Sequence, residues 1–138
     1  MKYMIMLYGS QQDYDVLMGR PSPKPAMSPE DVAAMHRYME DLHKDLADSG
    51  ELVGGHGLTP PVYARRIQLQ GGVPVVTDGP YPETQEVLAG FTIVECESFD
   101  RATEIAARLT TCPGPEHVRD RAYVDVRPVA ESRAELEP

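Results

Sequence analysis

Residues 75–97 read VVTDGPYPETQEVLAGFTIVECE, a polar turn that runs straight into an apolar strand. Asp78-Gly79-Pro80 breaks the preceding pattern: Asp bonds nearby backbone, Gly accepts positive φ, and Pro fixes φ and lacks a ladder donor. Tyr81, Pro82, Glu83, Thr84, Gln85 and Glu86 then crowd hydrogen-bonding side chains beside that turn. From Val87 onward the period is two, with Phe91 and Ile93 on one face and Thr92, Val94 and Cys96 on the other. That alternation predicts a strand.

Working upstream, residues 64–70 and 73–77 flank Gly71-Gly72, the composition of a two-residue hairpin turn, and Pro74 assigns the second arm to a sheet edge. The hairpin therefore delivers Asp78 to the rim of a sheet, with Arg65 and Arg66 at its base as an anion-binding pair or a solvated face. Residues 51–58 form a short strand interrupted by Gly54, Gly55 and Gly57, the mark of a bulge or a close backbone approach. His56 sits among them and titrates near neutral pH. Residues 2–9 are apolar on both faces: Tyr3, Ile5 and Leu7 face one way, Met4, Met6 and Tyr8 the other. An antiparallel sheet usually leaves one face wet, so helices on one side and a second subunit on the other are expected. Residues 10–27, long and rich in Pro, read as a loop that packs other segments down, a candidate lid.

A helix opens at Ser28-Pro29-Glu30-Asp31, with Ser as N-cap, Pro at N1 and an acid at N3. Val32, Met35, Met39, Leu42 and Leu46 give it one apolar stripe ending at Gly50. His36 and His43 flank that stripe without a third ligand at workable spacing, so they read as solvated. Downstream of the central strand, Ser98 or Asp100 caps a second helix whose stripe is Phe99, Ala102, Ile105, Ala106 and Leu109. Residues 118–129 read as the last strand, and 131–138 as a charged tail that frays. The order is β-α-β, an inserted hairpin, then β-α-β: an α+β, ferredoxin-like βαββαβ arrangement in one domain, residues 1–130.

The 138 residues suffice for a single core. A net charge of −9 disfavours nucleic acid, which needs clustered Lys and Arg, and an anionic membrane surface equally. Cys96 and Cys112 have neither CxxC nor knuckle spacing, which suits a reducing compartment. With no secretory leader pattern and no spanning run, a cytoplasmic protein is expected.

The segments VTDGPYPETQEVLAGFTIVE, LVGGHGLTPP at 52–61 and VDVRPV at 124–129 together resemble the DGPF branch of the YCII-related proteins, with Tyr81 in place of the name-giving Phe. The resemblance implies a dimeric α+β barrel, an activity that is unsettled, and an association with extracytoplasmic-function sigma factors. In the wider family it implies a His on the first helix acting with an Asp that precedes a Pro after the second. Here His36 is the counterpart of the first, but Cys112 precedes Pro113, so that dyad does not carry over.

No nucleophile elbow, P-loop, dinucleotide fingerprint or HExxH occurs, so neither a cofactor nor a metal is expected. What remains is a set of acids and one His able to exchange protons if their surroundings separate their pKa values. The catalytic candidates are Asp78, His56 and Glu83; the ligand-binding candidates are Tyr8, Arg65, Tyr81 and Glu86. The leading expectation is a homodimer that binds a small molecule in a cleft at the DGPY loop, with a capacity for cofactor-independent acid/base chemistry. Its rival is a non-catalytic regulatory or interaction module partnered with a sigma factor.

Overall fold

The computed structural model describes residues 1–115 and 122–137. Among the described residues, six strands and three α-helices follow in the order β1 (Lys2–Gly9), α1 (Gln11–Leu17), α2 (Pro29–Asp48), β2 (Leu52–Gly57), β3 (Arg65–Gln70), β4 (Val73–Asp78), β5 (Val87–Glu95), α3 (Phe99–Thr110) and β6 (Asp125–Pro128). Four strands form an antiparallel sheet in the order β2-β5-β1-β6, and β3 pairs only with β4. This is the ferredoxin-like α+β arrangement with the hairpin inserted between the second and third strands of the sheet.

The two faces of β1 have different fates. Tyr3 and Ile5 are buried in one core with Val94 of β5, Leu42 and Leu46 of α2, and Ala102, Ile105, Ala106 and Leu109 of α3. Met4, Met6 and Tyr8 lie on the opposite face, only half-buried, opposite Ile93, Phe91 and Leu88. Among the described residues, no helix joins them in a core as α2 and α3 do on the other face. The helix stripes thus fall where 3.6-residue periodicity places them, except that Phe99, although it packs its ring 5.2 Å from that of Tyr3, stays largely exposed.

The helix caps follow the sequence signals. Ser28 accepts from the Asp31 N–H and Ser98 from the Arg101 N–H. The chain leaves α2 through Gly50, where the N–H groups of Gly50 and Glu51 return to the carbonyls of Ala47 and Leu46. Glu51 then grips Arg101 of α3 with two hydrogen bonds, 2.9 Å from Nε and 2.8 Å from Nη2, tying both helices to the start of β2. That guanidinium, helped by Ser49, holds the Glu51 carboxyl down at about 2.

Three expectations need correction. Residues 10–27 are not all loop: Ser10 and Asp13 form a reciprocal capping box that starts α1. The Ser-x-x-Asp signal was in the sequence, but seven residues with no buried side chain leave no apolar stripe to announce a helix. The last strand is short, Asp125–Pro128; 122–124 lie outside the ladder, and 118–121 lie outside the described residues. The tail forms a 3-10 turn over Arg133–Leu136, and Glu131 just ahead of it pairs with Lys2 at 2.6 Å. Among the described residues, no helix is long and apolar enough to cross a membrane.

Candidate functional site

The end of the sheet face that carries no helix is shaped by a bulge. Leu7 pairs with Gly90 and Tyr8 with Leu88, which leaves Ala89 as an extra residue in β5. Ladder partners share a face and β1 alternates, so the bulge puts Leu88 on the same side as Phe91. The carbonyl freed at Ala89 is not wasted. It accepts the Leu58 N–H at 2.8 Å and the Tyr14 hydroxyl at 3.2 Å. The single Tyr14 hydroxyl hydrogen is shared with the Leu58 carbonyl, the nearer acceptor at 2.8 Å, while the Val62 N–H donates to the Gln11 side chain and the Gln12 N–H donates to the Glu83 carbonyl. Helix α1 therefore straps down the 58–62 segment and the DGPY loop together.

Between those two segments lies an apolar hollow of about 300 Å³, lined by Leu58, Thr59, Pro60, Pro61, Ala64, Tyr81, Val87 and Leu88. Its size is at the lower end for small-molecule sites. On the Tyr81 wall, the Arg66 guanidinium stands 5.2 Å from the ring centroid. On the Leu88 side stands Tyr8, its ladder partner, with the Tyr123 ring stacked on it at 5.4 Å and 19°. The Tyr123 hydroxyl donates to the Glu86 carboxylate at 2.6 Å.

These carboxylates set the protonation of the phenols. Glu86 hydrogen-bonds the protonated form of Tyr123 and, with desolvation and further negative charge, pushes its pKa up to about 12. The Asp125 carboxylate raises Tyr8 in the same direction. At neutral pH both phenols are proton donors. A spectrophotometric titration of wild type at 295 nm should show one tyrosine ionising near 12. In Glu86→Gln that value falls back toward about 10, and an unchanged titration curve would dissociate Tyr123 from Glu86. The folded value lies above the unfolded one, so the stabilisation is complete below about pH 10 and is lost as pH rises through 12.

The candidates named from sequence separate into groups. Tyr8, Tyr81 and Glu86 gather around the hollow. Asp78 and Arg65 are spent on each other, 2.8 Å apart across the hairpin base. The Asp78 carboxylate bonds Arg65 in place of its own turn, which is closed by the Gly79 N–H donating to the Ala64 carbonyl. Glu83 is exposed and contributes its backbone carbonyl. His56 lies opposite Phe91, ring centroids 5.9 Å apart, on the uncovered face. No hydrogen bond or ion pair joins the side chains of Asp78, His56 and Glu83 to one another. Sequence reading did not select Tyr123, Asp125 or Leu88. Tyr123 and Asp125 alternate with Val124 and Val126, which pack against the core, whereas only the bulge exposes Leu88.

Among the described residues, no three His, Cys, Asp or Glu side chains converge where a metal could be held. Burial raises the thiols of Cys96 and Cys112, which leaves them weak ligands and nucleophiles.

The model of a family described as the YCII-related domain matches residues 1–126. An uncharacterised protein, R00369, from Rhizobium meliloti (strain 1021) is 31% identical over 85 residues, which are 62% of this chain and 68% of that protein. With the ferredoxin-like sheet in place and nearly the whole chain matched, the protein belongs to the YCII-related domain family.

Proposed function

We propose that this protein is a cofactor-independent, homodimeric small-molecule-binding protein whose ligand sits in the hollow between the 58–62 segment and the DGPY loop. The observation that carries the reading is the joining of that hollow, through Leu88, to the Tyr8–Tyr123 pair and Glu86. Apolar walls with a few fixed polar groups are the usual composition of a small-molecule site. The chemistry in reach is hydrogen bonding beside a base: the phenols of Tyr8 and Tyr123 stay protonated and donate hydrogen bonds, and Glu86 or Asp125 is the carboxylate that accepts a ligand proton. Asp78 and Arg65 fix the hairpin base in this reading. His56 and Glu83 stand in reserve on the uncovered face and the loop. A second subunit covers Met4, Met6, Phe91 and Ile93, in keeping with the dimeric barrel of the family.

The test is a fragment library of small aromatic and aliphatic molecules, screened by NMR on isotope-labelled protein. Binders are expected to shift the resonances of Leu58, Tyr81 and Leu88, and Tyr81→Ala should weaken them about tenfold or more. A library whose binders all leave those three residues unmoved would overturn the assignment.

A further inference from the structure

Residues 52–77 contain none of the chain's 22 acidic residues, although they hold His56, Arg65 and Arg66. The same stretch supplies eight of the fifteen large hydrophobic side chains exposed among the described residues. Its centre is the β3–β4 hairpin. The register puts Ile67 opposite Val76 and Leu69 opposite Pro74, so these four share one face of the ribbon, with the Arg65–Asp78 pair at its base; Arg66, Gln68, Gln70 and Thr77 take the other, beside Val73 and Val75. Ile67, Leu69 and Val76 are 64%, 71% and 57% exposed. Thus the hairpin turns its more apolar face to water. A lone two-stranded ribbon is only marginally stable in water without packing.

We infer that this hairpin is an arm that clasps a second copy of the chain, its apolar face Ile67, Leu69, Pro74 and Val76 seated on the neighbour. Charge selects the occupant. A chain of net charge −9 repels its own copy over most of its surface, and an apolar face whose one acid, Asp78, is paired with Arg65 is where two copies meet at the lowest electrostatic cost. Area points the same way. An obligate dimer needs about 2,000 Å² of buried surface, and the uncovered sheet face offers side chains that are already half-buried within the subunit. The arm adds the exposed apolar area that face lacks. Its base carries Arg66 against Tyr81, so a neighbour that grips the arm also steadies one wall of the hollow.

The inference rests on the homodimer of the proposed function, and the experiment separates the two. The double variant Ile67→Ser/Leu69→Ser is compared with wild type by analytical ultracentrifugation from nanomolar to 100 µM. Neither residue is buried in the subunit, so its circular dichroism should be unchanged. The dimer dissociation constant is expected to rise about 100-fold. Hydrogen exchange at 65–78 should slow in wild type as concentration increases. A double variant that dimerises within threefold of wild type overturns the arm and leaves the homodimer standing. A wild type that is monomeric at 100 µM, with unprotected hairpin amides, overturns both.

Discussion

Gly55→Ala is expected to lower the melting temperature by about 10 °C, corresponding to about 3 kcal/mol in a domain of this size. A Cβ built at Gly55 lies 2.5 Å from the Phe91 carbonyl oxygen and 3.0 Å from the Thr92 Cα. Both are backbone atoms of β5, the strand that β1 and β2 share, so neither can swing aside as a side chain would. The strand must move, and overpacking of this kind costs about 1–3 kcal/mol; contact with an immovable ladder puts Gly55 at the upper limit. Gly54→Ala is the control. It lies one residue away, without positive φ and with nothing within 4 Å of its Cβ, so a change of no more than about 2 °C is expected. Differential scanning calorimetry of the two variants decides the matter. Equal melting temperatures would mean that the β2–β5 crossing is looser than the close approach requires.

Ile5→Ala is the second large effect, about 4 kcal/mol by denaturant unfolding with an unchanged m-value. Ile5 is fully buried at the centre of the sheet, between Thr92 and Val126 in the ladder and under both long helices. Helices bound at both ends cannot collapse far into the space left. Set against a total stability of about 5–15 kcal/mol, that loss brings the domain close to unfolding. Met6→Ala, one residue on and facing the other way, should cost less than about 1.5 kcal/mol of subunit folding because no helix packs there. Under the proposed dimer its cost is expected in subunit association instead, read as a raised dimer dissociation constant. Equal folding losses at both positions would contradict the two-faced role of β1.

Much of the fold was legible because it rests on short-range patterns. The strand alternation of 2–9 and 87–95, the stripe from Val32 to Leu46, and the caps at Ser28 and Ser98 depend on residues two to four apart, so the sequence displays them directly. Helix α1 escaped notice because its evidence is one capping box and no apolar stripe. The neighbourhood of the candidate site was legible in part. The polar DGPY loop marked the neighbourhood and supplied Tyr81 and Glu86, and the end of the first strand supplied Tyr8. Which of two adjacent arginines is free was not readable, since Arg65 meets Asp78 only through the hairpin register, while Arg66 points to the other face and reaches Tyr81.

By itself, then, the sequence determined the order of elements, the two-faced first strand, the hairpin turn and the acidic balance, all properties of composition or of period along the chain. Tertiary structure decided where Leu88 faces, that Tyr123 stacks on Tyr8 and bonds Glu86, and that Asp78 is held by a cation. Each of those facts depends on contacts between residues far apart in sequence, and a single unpaired residue at Ala89 shifts the register enough to reverse a side chain. Local periodicity carries no record of such a shift; only pairing with β1 fixes it.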